Sequence, residues 1–159
     1  MNDPPPAELL ARLRPIPTYR DHPATSPHDV VGVTPDGQPI EMQLVGPVEP
    51  TLLLFLSSSC LGCQDLWLGL EELATVIPSD VRIVVITRGP ESESAGAVAE
   101  LAQPGTTVVM STQAYADYRV AGPPFLAVVA GGVVKTEGVA WGIEETGRAT
   151  RAAFEDEQS

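Results

Sequence analysis

The chain has 159 residues, 43% of them apolar and 19% charged, a length that suits one domain able to bury a core without covalent staples. Its 21 acids outnumber nine basic side chains for a formal net charge of −12; nucleic-acid backbones and anionic membrane surfaces repel such a chain, so neither is an expected partner. Only two cysteines occur, three positions apart, which excludes a disulfide-stapled scaffold and points to chemistry or metal binding instead.

Seven of the 16 prolines fall within the first 27 residues. Residues 1–28 are therefore read as a Pro-rich, mostly extended arm, with one short helical candidate over Ala7–Leu13. The start, Met1-Asn2-Asp3-Pro4-Pro5-Pro6, lacks a basic stretch followed by an apolar run, so no signal peptide is expected. Unbroken apolar runs such as Leu52–Leu56 are far too short to span a bilayer, and no transmembrane segment is expected in this chain.

Residues 29–159 are read as the folded domain. Val30–Val33, the turn signal Pro35-Asp36-Gly37 and the alternating Ile40–Leu44 predict a β-hairpin. Thr51–Ser57 is continuously apolar up to its serine, as suits a central strand covered on both faces. A helix is expected next, with Cys63, Leu66, Trp67, Leu70, Leu73, Ala74 and Ile77 forming a core-facing stripe that Pro78-Ser79-Asp80 ends. Val81–Thr87 reads as a second buried strand, Glu93–Gln103 as a helix, Thr106–Ser111 as a strand and Gln113–Arg119 as a short helix. Phe125–Ala130 and Val133–Val139 form a closing hairpin about Gly131-Gly132, before a final helix over Ile143–Phe154. This order predicts a mixed α/β fold with a parallel core, a right-handed crossover between strands 51–57 and 81–87, and antiparallel strands added at one side.

Cys60 and Cys63 stand where the buried strand gives way to the amphipathic helix, at a strand's carboxyl end. Free backbone N–H groups and the positive end of the helix dipole favour a thiolate there, and the thiolate is the nucleophile. Helix geometry sets the two Cα atoms about 5 Å apart, within disulfide range. Cys60, which begins the stripe, is expected to attack a substrate disulfide, and Cys63, lying on the stripe, to resolve the mixed disulfide. Two alternatives concern the cysteines themselves. Buried, inert thiols would pack as small core residues, which Leu61-Gly62 and the serine run do not resemble. Zinc would need two further ligands, and the only histidines, His22 and His28, lie in the arm, so no metal is expected.

With these pieces in place, the chain resembles the thioredoxin superfamily, in particular its TlpA/ResA-like and MauD-like thiol–disulfide oxidoreductases. The resemblance is carried by the hairpin with Asp36-Gly37, the run from Leu53 through Ser57-Ser58-Ser59-Cys60-Leu61-Gly62-Cys63, the segment Val120-Ala121-Gly122-Pro123-Pro124-Phe125, and Gly132–Gly138. Together they cover about residues 29–155. The resemblance implies a thioredoxin-like fold with an N-terminal hairpin extension and exchange with protein disulfides through Cys60 and Cys63. It further implies a cis-proline at Pro124 facing the dithiol, with Pro123, Leu61 and Gly62 positioning the substrate. No cofactor is implied beyond the Cys60–Cys63 disulfide; the partners are protein thiols and disulfides and an upstream electron donor.

Three positions depart from the family pattern. Leu54 stands six before the attacking cysteine, where thioredoxins often bury an acid that accepts the inner thiol's proton. Ser59 replaces the usual aromatic before the first cysteine. Pro123 keeps a carbonyl for a bound substrate strand but offers no N–H, which implies a narrower or differently oriented substrate choice. Two other functional classes stay open: a non-enzymatic thioredoxin-fold binding or chaperone module, and a thiol peroxidase. Ser57 fits the peroxidase pattern three before Cys60, but Leu53 stands where that family has proline. The chain as written is expected to be a cytoplasmic monomer; the resemblance leans instead to the outer face of a membrane.

Overall fold

The computed structural model describes residues 26–155. The helical candidate Ala7–Leu13 and the rest of the arm up to residue 25 lie outside the described residues. The hairpin is β1 (Val30–Val33) and β2 (Pro39–Met42). The central strands are β3 (Thr51–Phe55), β4 (Arg82–Thr87) and β5 (Thr107–Met110), followed by β6 (Phe125–Ala130) and β7 (Val133–Val139). They form one sheet in the order β2-β1-β5-β4-β3-β6-β7. β3 runs parallel to β4 and β4 to β5, whereas β1, β6 and β7 join antiparallel. The closing hairpin turns on Gly131 and Gly132, whose φ values of 60° and 78° suit a two-residue turn that disfavours side chains.

β3 shows why its sequence is apolar without alternation. Leu52, Leu54 and Leu56 join the core on one face of the sheet, and Leu53 and Phe55 join the core on the other. The first core lies under α1 (Gln64–Leu68), α2 (Leu70–Val76), α3 (Ala95–Leu101) and α5 (Gly142–Glu155). The second lies under α4 (Thr112–Asp117), which contributes Ala114 and Tyr115, with Tyr118 just beyond its end. Serines stop the chain from unravelling at two helix starts: Ser94 accepts the Ala97 N–H at 3.2 Å and Ser111 the Ala114 N–H at 3.1 Å.

The helix expected after β3 departs from the reading in two places. It opens as a single 3₁₀ turn over Leu61–Cys63 before the α-helix begins at Gln64. It is then interrupted at Gly69, whose φ of −104° and ψ of 17° leave the helical region, although the backbone ladder continues through Gly69 N–H to Asp65 O and Leu73 N–H to Gly69 O, both 2.9 Å. A side chain has no room at this point: a Cβ at Gly69 would lie 2.7 Å from Ile143 Cδ1, at the start of α5, and 2.9 Å from the Asp65 carbonyl.

Two polar anchors fix the hairpin, one closing its base and one tying it to the domain. Asp29 accepts the Leu44 and Val45 N–H groups at 2.8 and 3.0 Å, and these bonds hold its carboxyl below the usual range. The Tyr118 hydroxyl donates to the His28 carbonyl at 2.5 Å and accepts the His28 N–H at 2.9 Å. Burial pushes this phenol up to about 12.

Candidate active site

The run Ser57-Ser58-Ser59 leaves the end of β3 and delivers Cys60, the residue preceding the 3₁₀ turn, with φ −94° and ψ 119°. The Cys63 N–H closes that turn onto the Cys60 carbonyl at 3.1 Å. Both cysteines are free thiols, and their surroundings differ: Cys60 is half-buried at the surface, whereas Cys63 is 0% exposed within the core. Burial pushes the Cys63 thiol far up; its hydrogen bond with Cys60 adds to this, and a backbone hydrogen bond with Ser57 pulls the other way. The expected division into an outer and an inner sulfur is therefore present in the geometry.

The peptide between Pro123 and Pro124 is cis. The Pro123 carbonyl oxygen lies 3.8 Å from Cys60 Sγ, a sulfur-to-oxygen hydrogen-bond distance. Pro124 faces the CxxC turn directly: its Cδ stands 3.6 Å from where a Cβ of Gly62 would lie. The Pro124 carbonyl accepts the Ala140 N–H at 3.2 Å, binding the proline loop to the end of β7. Leu61, between the cysteines, is 85% exposed, so it offers an apolar surface beside Cys60. Thus the structure brings Cys60, Cys63, Gly62, Pro123 and Pro124 together, with Leu61 projecting at the rim. His28 is held elsewhere, at the start of β1, its ring edge-on to Tyr118 with centroids 5.9 Å apart.

Several residues around the site were not among the candidates for it; Trp67 was expected only as part of the core-facing stripe. Trp67, wholly buried, donates its indole N–H to the Ser57 carbonyl at 3.1 Å. Glu93 comes from the loop between β4 and α3 and accepts the Ser58 N–H at 3.0 Å and the Ser58 hydroxyl, both through Oε1. Tyr115 donates to the Leu56 carbonyl at 3.0 Å, and burial drives its phenol up. The Arg88 guanidinium lies 4.3 Å from the centre of the Tyr115 ring and donates to the Ala121 carbonyl at 3.4 Å. Glu93 lies 33 residues from Cys60, beside one other acid, Glu91, in the Pro90–Ser94 loop, so no local pattern distinguished it from a solvated carboxylate.

No family model matches the sequence, and no curated protein does either. Solved structures do. A secreted Mycobacterium tuberculosis disulfide oxidoreductase homologous to Escherichia coli DsbE superimposes with a TM-score of 0.61 at 20% identity, over 77% of this chain and 94% of its own. A thiol:disulfide interchange protein of the thioredoxin family from Chlorobium tepidum gives 0.59 at 20% identity, over 84% of this chain and 99% of its own. StoA from Bacillus subtilis gives 0.56 at 18% identity, over 78% and 97% respectively. With the mixed sheet, the flanking helices and the closing antiparallel hairpin, these likenesses show that the chain has the thioredoxin-like fold.

Proposed function

We propose that the protein is a thiol–disulfide oxidoreductase acting on protein disulfides, with Cys60 as attacking and Cys63 as resolving cysteine. The observation that carries this reading is the asymmetry of the pair: Cys60 reaches the surface opposite a cis-proline, and Cys63 is fully buried three residues on. The Cys60 thiolate attacks one sulfur of a substrate disulfide, expelling the other as a thiolate and leaving a mixed disulfide. Cys63, losing its proton to solvent or to the departing thiolate, attacks Cys60 Sγ. The substrate leaves with both sulfurs reduced, and the Cys60–Cys63 disulfide carries the two electrons' worth of oxidation. A dithiol donor must then reduce that disulfide for another turnover. In this scheme the Pro123 carbonyl, already within hydrogen-bond distance of Cys60 Sγ, is the acceptor left for a backbone N–H of the bound substrate strand.

Acidic composition and an exposed Leu61 favour protein substrates over polyanionic or membrane-bound ones. We favour action outside the cytoplasm over action within it, supported by the secreted character of the Mycobacterium tuberculosis protein and by the persistence of disulfides in oxidising compartments. The deciding experiment challenges Cys63→Ser and Cys60→Ser with oxidised insulin and runs the products on non-reducing gels. Cys63→Ser should accumulate a mixed disulfide through Cys60, and Cys60→Ser should not. Equal trapping by both variants, or by neither, would refute the assignment.

A further inference from the structure

The run that carries the dithiol is held from several sides. Trp67 holds the Ser57 carbonyl from below, and the Ser57 and Ser59 hydroxyls lie 3.1 Å apart. Glu93 holds the middle residue: one carboxylate oxygen accepts both donors of Ser58, backbone and side chain. Bonds to an ionised acceptor are stronger than neutral ones, and two of them on one residue fix its place. The latch therefore keeps a negative charge next to the dithiol, two residues before Cys60.

Held on Ser58, the carboxylate opposes ionisation of Cys63 as the smallest of several influences, behind burial, the hydrogen bond with Cys60, an opposing backbone hydrogen bond at Ser57 and the charge of Cys60. The other titratable or charged groups facing this space are Cys60 itself, Tyr115 from α4 and Arg88 from the end of β4. Arg88 is stacked on Tyr115 and bonded to the Ala121 carbonyl, so its position is set by the proline loop side of the site. Beneath the dithiol, Leu54 is a fully buried apolar residue. The acid at this site thus arrives from a different loop and acts on a different point of the chain.

We propose that Glu93 is a positioning residue of the exchange reaction: latched to Ser58, its carboxylate holds negative charge beside the dithiol and restrains attack by Cys63. The inference rests on the exchange reading above. Its consequence is kinetic. The restraint prolongs the mixed disulfide between Cys60 and a substrate relative to the same dithiol without Glu93.

The test uses the reduced full chain and a neutral probe, 2,2′-dithiodipyridine. Cys60 displaces one thiopyridone and forms a mixed disulfide; Cys63 then attacks Cys60 Sγ and displaces a second thiopyridone, each thiol's proton ending on the released heterocycle. The second release, followed by stopped-flow absorbance from pH 5 to 9, reports Cys63 attack alone. Glu93→Gln keeps an acceptor for Ser58 and removes the charge. It should speed the second release about threefold near neutral pH and move the pH profile to lower pH; the gain is limited by screening and by the lower nucleophilicity of a more readily ionised thiol. Ser58→Ala, which loosens the latch and keeps the charge, should move the profile the same way by less. A merely structural role for Glu93 would change stability and leave this profile in place. Unmoved profiles in both variants would overturn the proposal while a normal second release in the wild type upholds the exchange reading; a wild type with no second release would overturn both.

Discussion

Replacing Trp67 by phenylalanine tests whether the site depends on the core beneath it. The indole is 0% exposed and its N–H donates to the Ser57 carbonyl at 3.1 Å. Phenylalanine keeps a ring in the core but leaves that carbonyl without the donor. An unsatisfied buried acceptor costs about 1–3 kcal/mol, and the smaller ring forfeits about 1 kcal/mol of burial and packing. The sum, about 2–4 kcal/mol, is a large part of a typical stability of about 5–15 kcal/mol. Urea unfolding of the reduced protein, followed by far-UV circular dichroism so that the lost fluorophore does not matter, should show the midpoint lowered by about 1–2 M at an ordinary slope. Trp141→Phe is the control: at 36% exposure this side chain should cost under about 0.5 kcal/mol. A Trp67→Phe midpoint within about 0.3 M of the wild type would refute the role given to the indole.

Other outcomes follow from single contacts. Asp29 holds the hairpin through the Leu44 and Val45 N–H groups, so Asp29→Ala should cost about 1 kcal/mol at neutral pH, a figure already reduced for solvent screening. Because its folded pKa is lowered, that stabilisation is present above the ordinary value of 3.8 and is lost as pH falls through the folded value. Chemical melts should therefore show the wild type and variant converging below about pH 4; a gap that persists there would count against the carboxylate. Gly69→Ala should cost about 1–3 kcal/mol, since its Cβ would meet Ile143 at 2.7 Å and the Asp65 carbonyl at 2.9 Å. Gly62→Ala meets only Pro124 and Cys60, at 3.6–4.0 Å, and should melt within a few degrees of the wild type. Equal melting temperatures for the two variants would contradict this reading of the glycines.

Much of the fold was legible one segment at a time. The alternation in 40–44, the unbroken apolar run at 51–56 and the Gly131-Gly132 turn each predicted its element, because strand burial and turn conformation write themselves into neighbouring residues. The dithiol was legible as well, since three-residue spacing after a buried strand needs no distant partner to be recognised. Pro124 was a different case. Pro123-Pro124 in a proline-rich chain carries no local mark of a cis bond, and resemblance rather than spacing singled it out.

What only the tertiary structure decided are the features that arise where distant segments meet. The lack of room for a side chain at Gly69 comes in part from Ile143, 74 positions further along the chain. The Pro123 carbonyl reaches Cys60 Sγ across 63 positions, and Glu93 reaches Ser58 across 35. The sequence by itself determined where each strand and helix falls along the chain and where the cysteine pair lies, because hydrophobic period, turn chemistry and cysteine spacing act over a few residues, whereas helix ends and the interruption at Gly69 were left to the folded structure. Which charge and which carbonyl face that pair was decided by the sheet order, which sets loops far apart in sequence side by side at the carboxyl ends of β3 and β4.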